Sequence, residues 1–242
     1  MKKTIVITGA SRGIGKAIAI ELAGKGTNIV INCVNNVDKL NEVRSIIEEK
    51  GSVCETFIGD MGNYSDVQKM FDMCLQRFGQ VDVLINNAGI SVVGLFQDMG
   101  ENEWHRICNT NLDSVFNCCH FAVKDMMKRH CGKIINISSV WGLYGASCEV
   151  AYSATKGAVN SFTKALAKEL APSGIQVNAV ACGAIDTEMN GHLSDDDKAS
   201  LAEEIPAGRF GSPQEVAKLV KSLSGMNSYL TGQIITLDGG WI

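Results

Sequence analysis

"TIVITGASRGIG", residues 4–15, decides the fold. It begins as a short run of β-branched residues and ends in a turn carrying Gly9, Gly13 and Gly15. A strand followed by a glycine-rich turn and a helix is the form of a phosphate-binding βα unit. Glycine permits positive φ and lets backbone amides approach a phosphate, while the helix amino end offers free N–H groups and the positive end of its dipole. The spacing is G-x-x-x-G-x-G, not the G-x-G-x-x-G of the common dinucleotide fingerprint. Glycines at such a turn also serve helix–strand packing, so the loop alone does not name a ligand.

Outward from this loop, short apolar runs alternate with helix-period segments. Strands are predicted at Thr4–Thr8, Asn28–Asn32, Val53–Ile58, Val81–Asn86, Lys133–Ser138, Gln176–Ala181 and Ile234–Leu237. Between them, Trp104, Ile107, Cys108, Leu112, Val115, Cys119, Ala122 and Met126 follow the 3.6-residue period, as do Ala158, Phe162, Ala165, Leu166 and Leu170. Apolar strands alternating with helices mean a parallel sheet covered on both faces, and right-handed crossovers make it doubly wound. The expectation is a single-domain α/β Rossmann-type fold over residues 1–242 with a seven-stranded parallel sheet. Residues 186–211 form one long polar insertion after a strand's carboxyl end, where open α/β sheets bind ligands. It is expected to be a partly helical lid over a substrate pocket.

Composition narrows the function classes. Hydrophobic residues make up 45% and charged residues 20%, enough for a substantial core. A net charge of −4 argues against a nucleic-acid or anionic-membrane surface. No apolar stretch approaches the ~18 residues of a membrane span, and the run after Met-Lys-Lys is too short for a signal peptide. The nine cysteines are odd in number and form no C-x-x-C pair, so reduced, mostly buried thiols in a cytoplasmic protein are expected, with no metal site.

Two further stretches carry chemistry. "AYSATKGAV", residues 151–159, places Tyr152 four residues before Lys156, on one helix face. An ammonium beside a phenol favours tyrosinate and is expected to lower the phenol's pKa toward the usable range. The end of the second predicted strand reads "INCVNN", residues 31–36, with no acid from Asn32 to Asn36 where NAD sites often place one for the ribose. A 2′-phosphate is not repelled there, and Arg12 is available to pair with it, so NADP(H) is favoured over NAD(H).

"TGASRGIG", "NNAG" at Asn86–Gly89, "ISSV" at Ile137–Val140 and "YSATK" at Tyr152–Lys156 together resemble the short-chain dehydrogenase/reductase family, over essentially the whole chain. "PAGRFGSPQEVA" and the ending "LTGQIITLDGGWI" bring it nearest to the bacterial 3-oxoacyl-(acyl-carrier-protein) reductase group. The resemblance implies a catalytic tetrad of Asn111, Ser139, Tyr152 and Lys156. Ser139 is preferred to Ser138 because it stands thirteen before Tyr152, and Asn111 to Asn109 because it opens "NLDSVF". It implies a cofactor site of Gly9, Ser11, Arg12, Gly13, Ile14, Gly15, Asp60, Met61, Asn87, Ala88, Gly89, Tyr152, Lys156, Ile185 and Thr187. It further implies Asn111 as anchor of a proton-relay water, a homotetramer, and docking of an acidic acyl carrier protein at Arg129, with Lys128 and Lys133 nearby. The chain departs from the family pattern twice. Ser173 stands where a second basic docking residue is expected, and Cys182 precedes Gly183 where the family has Pro-Gly. These departures leave open another ketone substrate: a steroid, a small metabolite or a ketone-bearing modified lysine of elongation factor P. A dinucleotide sensor without turnover is the reading from a different class.

Overall fold

The computed structural model describes residues 2–191, 193–225 and 229–242. Seven strands, β1 (Lys3–Ile7), β2 (Thr27–Cys33), β3 (Val53–Ile58), β4 (Val83–Asn86), β5 (Gly132–Ser139), β6 (Ile175–Cys182) and β7 (Ile234–Leu237), form one sheet. The order is β3-β2-β1-β4-β5-β6-β7, and every pairing is parallel. The chain winds outward from β1 to β3, then returns to start β4 on the other side of β1. That reversal opens a crevice at the carboxyl ends of β1 and β4, the usual ligand position in such sheets.

Alternation along the strands divides the core in two. Ile5, Ile7, Ile29, Ile31, Val83 and Ile85 face helices α1 (Gly13–Leu22), α2 (Val37–Glu49) and α9 (Pro213–Gly225). Val6, Val30, Leu84, Ile134 and Val177 face α3 (Tyr64–Phe78), α5 (Ser114–Arg129) and α7 (Val150–Leu170). Both faces are covered, which is why the strands read as nearly continuous apolar runs. No helix among the described residues is long and apolar enough to cross a membrane.

One helix departs from its expected form. The periodic run from Glu101 is broken into α4 (Glu101–Cys108), a π-helical turn (Asn109–Asp113) and α5, with the Ser114 N–H reaching back to the Asn109 carbonyl. Such π turns inside helices often mark functional sites, and this one holds Asn111. The polar excursion after β6 is closed at its base: Asp186 N–H donates to Gly211 O, and Gly211 N–H to Ala184 O, both at 2.9 Å. Within it lie a 3₁₀ turn at Glu188–Asn190 and α8 (Asp195–Glu204), whose Ser194 and Asp197 form a reciprocal capping box.

All nine cysteines are free. Cys33, Cys54, Cys74, Cys118, Cys119 and Cys182 are buried, and burial raises the pKa of each. Since only thiolate reacts readily, an aromatic disulfide reagent at neutral pH is expected to titrate exposed Cys131 rapidly and these six only after denaturation. Rapid reaction of the buried six in native protein would contradict this packing.

Candidate active site

The glycine turn and the segment after β4 are stitched together. Thr8 Oγ1 accepts from the backbone N–H groups of Asn87 and Ala88, and Asn87 Nδ2 donates to the carbonyls of Thr8 and Gly9, all at 3.0 Å. This closeness explains two of the glycines. Gly9 has φ +63°, and a Cβ there would come within 2.9 Å of Ala88 Cα; a Cβ on Gly15 would sit on Gly9 O and Asn87 Nδ2. At the start of α1, no side chain caps the free amides and no acid lies in the first turn, so an anion meets no competitor there.

A cleft of about 1210 Å³ opens over this turn and runs past the ends of β4, β5 and β6. That is ample for a dinucleotide with a small substrate beside it. Every cofactor residue expected from the sequence lines it except Gly15. Gly15 is instead packed against Gly9 and Asn87, so its part is to let α1 approach the sheet.

Ser139, Tyr152 and Lys156 converge in the cleft. Ser139 ends β5, and its hydroxyl accepts from Trp141 N–H at 3.1 Å and hydrogen-bonds the Tyr152 phenol. Tyr152 and Lys156 lie one turn apart on α7. Lys156 Nζ donates to Ile137 O at 2.8 Å and stands 5.5 Å from the centre of the Tyr152 ring. The expected acidic phenol is not what this arrangement produces. Burial drives the Tyr152 pKa upward, with the Ser139 hydrogen bond only opposing it, and burial lowers Lys156 to about 8. Sequence spacing brings the two groups together, but loss of solvent sets both shifts: Lys156 is buried and Tyr152 half-buried at the ends of the sheet.

Asn111 is buried and does not line the cleft. Its Oδ1 accepts from Ile90 N–H at 2.8 Å, and its Nδ2 donates to Ile90 O at 2.9 Å and Thr155 Oγ1 at 3.2 Å. The side chain therefore clamps the segment after "NNAG" onto α7. Asn111 Oδ1 and Lys156 Nζ lie 3.4 and 3.5 Å from the place a Gly89 Cβ would take, so both flank the same glycine.

At the other end of the cleft Arg12 binds Glu188 at 2.7 Å, and Lys39 binds the other Glu188 oxygen at 3.0 Å. Two cations thus gather around one carboxylate from the excursion after β6; Arg12 and Glu188 line the cleft with Val34, Asn35 and Asn36, and Lys39 stands outside that lining. Lys39 was not legible as a site residue, because it meets Glu188 only through the fold. The same holds for Glu149 bound by Ser91 and for the Trp141–Trp241 pair, all of which line the cleft.

Cys182 is buried at the end of β6, between Ser139 of β5 and Leu237 of β7. Burial pushes its thiol up to about 12, so it is a small apolar filler rather than a nucleophile. The turn is held without proline: Gly183 N–H donates to Leu237 O at 2.9 Å, and a Cβ on Gly183 would lie 2.7 Å from Asp238 Cβ. Arg129, expected as a docking cation, is paired within the chain. Its guanidinium binds Asp82 at 3.0 Å, Asp125 at 2.9 Å and the Val81 carbonyl, tying α5 to the start of β4.

The short-chain dehydrogenase family model matches residues 3–198. Among curated proteins, the chain is similar to the 3-oxoacyl-(acyl-carrier-protein) reductase FabG of Staphylococcus epidermidis, 41% identical over 99% of both chains. It is 41% identical to the FabG of Staphylococcus aureus over 99% of this chain and 98% of that one. The FabG of Chlamydia trachomatis is 38% identical over 99% and 97%. With its parallel sheet, glycine turn and Ser-Tyr-Lys convergence, the chain belongs to the short-chain dehydrogenase family, oxidoreductases that interconvert alcohols and carbonyls.

Proposed function

We propose that this protein is an NADPH-dependent ketone reductase, of the kind that acts on 3-oxoacyl thioesters. The observation that carries this is the Ser139–Tyr152–Lys156 convergence inside a cleft whose other end is a glycine turn and an uncapped helix start. The residues fit a nicotinamide dinucleotide: amides at the start of α1 for the pyrophosphate, and Arg12 with Lys39 for a 2′-phosphate. When bound, that cofactor supplies a hydride to the carbonyl carbon.

This chain's residues supply the proton and the geometry. Ser139 donates a hydrogen bond to the carbonyl oxygen and holds it beside the phenol. Tyr152 O–H passes its proton to that oxygen as negative charge develops. A phenol with a raised pKa is still competent, because an alkoxide is about as basic as hydroxide, and water ionises only near ~15.7. The tyrosinate left behind is stabilised by the nearby Lys156 ammonium, so the lysine acts after transfer rather than by ionising the phenol beforehand. Asn111 holds the Ile90 segment against α7, which keeps the wall around Lys156 in place.

Kinetics on a 3-oxoacyl carrier thioester and a free 3-ketoester, each with NADPH and NADH, test the reading. A charge-assisted hydrogen bond to a 2′-phosphate contributes about 1.5–3 kcal/mol, which is roughly tenfold or more in kcat/KM. NADPH is therefore expected to exceed NADH by at least about tenfold, and Arg12→Ala to erase most of that margin. Tight nucleotide binding with no oxidation on either ketone would overturn the reading in favour of a sensor.

A further inference from the structure

The part of the cleft built by α6 (Trp141–Tyr144), the start of α7 and the carboxyl-terminal tail has a chemistry of its own. Trp141 and Trp241 meet edge-on there with ring centroids 4.9 Å apart. Glu149 and Glu204 bring carboxylates to the same cleft. Among the described lining residues the only Lys or Arg side chains are Arg12, held by Glu188, and Lys156, turned to the Ile137 carbonyl.

Glu149 lines the cleft close to the reacting phenol. It is the residue just ahead of α7, three before Tyr152, and its side chain does not cap the helix. Its charge reaches the phenol, where it disfavours tyrosinate. Cys148, immediately before it, has φ +61°, a left-handed conformation uncommon for a residue with a side chain and concentrated at functional sites. Ser91 Oγ binds Glu149 Oε1, and Gly94 N–H donates to Cys148 O at 2.8 Å, so the segment is pinned from two places. Glu149 Oε2 has no hydrogen-bond partner among the described residues.

A carboxylate beside a proton-donating phenol is a cost to the reaction unless a cation neutralises it. Two indoles and a carboxylate are the groups that recognise an ammonium, through ring quadrupoles and charge. We propose that Glu149, with Trp141 and Trp241, selects a ketone that carries a cationic amine a few bonds from its carbonyl. This rests on the reductase reading and puts an amine-bearing ketone ahead of a 3-oxoacyl thioester as the preferred substrate. Binding of the cation cancels the Glu149 charge, so the preferred substrate also eases proton release from Tyr152. An anionic arm entering the same end meets carboxylates instead.

The test uses a matched pair of ketones, one ending in a trimethylammonium group and one in its neutral tert-butyl isostere. The quaternary group cannot condense with the carbonyl, and both probes have the same bulk. With NADPH saturating, the native enzyme is expected to favour the charged ketone at least tenfold in kcat/KM. E149Q is expected to bring that ratio near one, chiefly through KM of the charged ketone, and E149D to keep part of it. A native ratio near one overturns the inference, as does an E149Q variant that loses both ketones equally, which marks Glu149 as a prop for the Ser91 segment. Native enzyme that reduces a 3-ketoester but neither probe overturns this inference and leaves the reductase reading standing, whereas native enzyme that binds NADPH and reduces none of the three removes both.

Discussion

Replacing Tyr152 by phenylalanine is expected to lower kcat for ketone reduction by about 10²–10⁴-fold, the usual range for loss of a positioned acid. The substitution removes one oxygen and leaves the ring, so packing on α7 is preserved. Ser139 loses a partner but keeps the Trp141 amide. Lys156 keeps its bond to the Ile137 carbonyl. Nucleotide affinity and the unfolding midpoint are therefore expected to stay close to native, which separates a chemical defect from a folding one. Turnover near the native value would show that the proton comes from elsewhere.

Lys156→Met is expected to abolish efficient turnover and, in the nucleotide-free protein at neutral pH, to raise stability. Burial lowers the folded-state pKa of Lys156 from 10.5 to about 8. Below pH ~8 both folded and unfolded chains hold the proton, and the fold bears the full penalty of an enclosed charge. Between about 8 and 10.5 the unfolded chain binds more protons than the folded one, so stability rises with pH and the penalty fades. At about 1.4 kcal/mol per pKa unit, less the lost bond to Ile137 O, the methionine variant should gain on the order of 1–3 kcal/mol at neutral pH. Urea unfolding at pH ~7 and ~10 checks this: the gain should be present at the lower pH and small at the higher. A variant less stable than native at both values would mean that Lys156 is a structural asset. Stability given up at a catalytic group is a familiar trade in enzymes.

Much of this was legible in the residues. The seven strands fall within two residues of their expected ends, because buried parallel strands are apolar throughout and the turns between them are not. The Tyr152–Lys156 spacing fixes a shared helix face wherever the helix lies. What escaped the sequence depends on enclosure or on distant pairing. The direction of the Tyr152 shift depends on burial, which spacing does not report. Glu188 meets Lys39 across 149 residues and Arg12 across 176, so that cluster exists only once β2 and β6 lie in one sheet. Arg129 looks like an available cation until Asp82 and Asp125 are brought to it. The π turn at Asn109–Asp113 keeps the apolar period of an ordinary helix, so nothing in the pattern announced it.

Tyr152 stands in the cleft as a protonated acid, its pKa raised by loss of solvent and the phenol held by Ser139. Tyrosinate absorbance followed against pH, native protein minus Tyr152→Phe, reads that one phenol directly. No ionisation step is expected for Tyr152 up to pH ~10, the range of an ordinary phenol. A difference step near neutral pH would contradict it and restore a tyrosinate made in advance by Lys156.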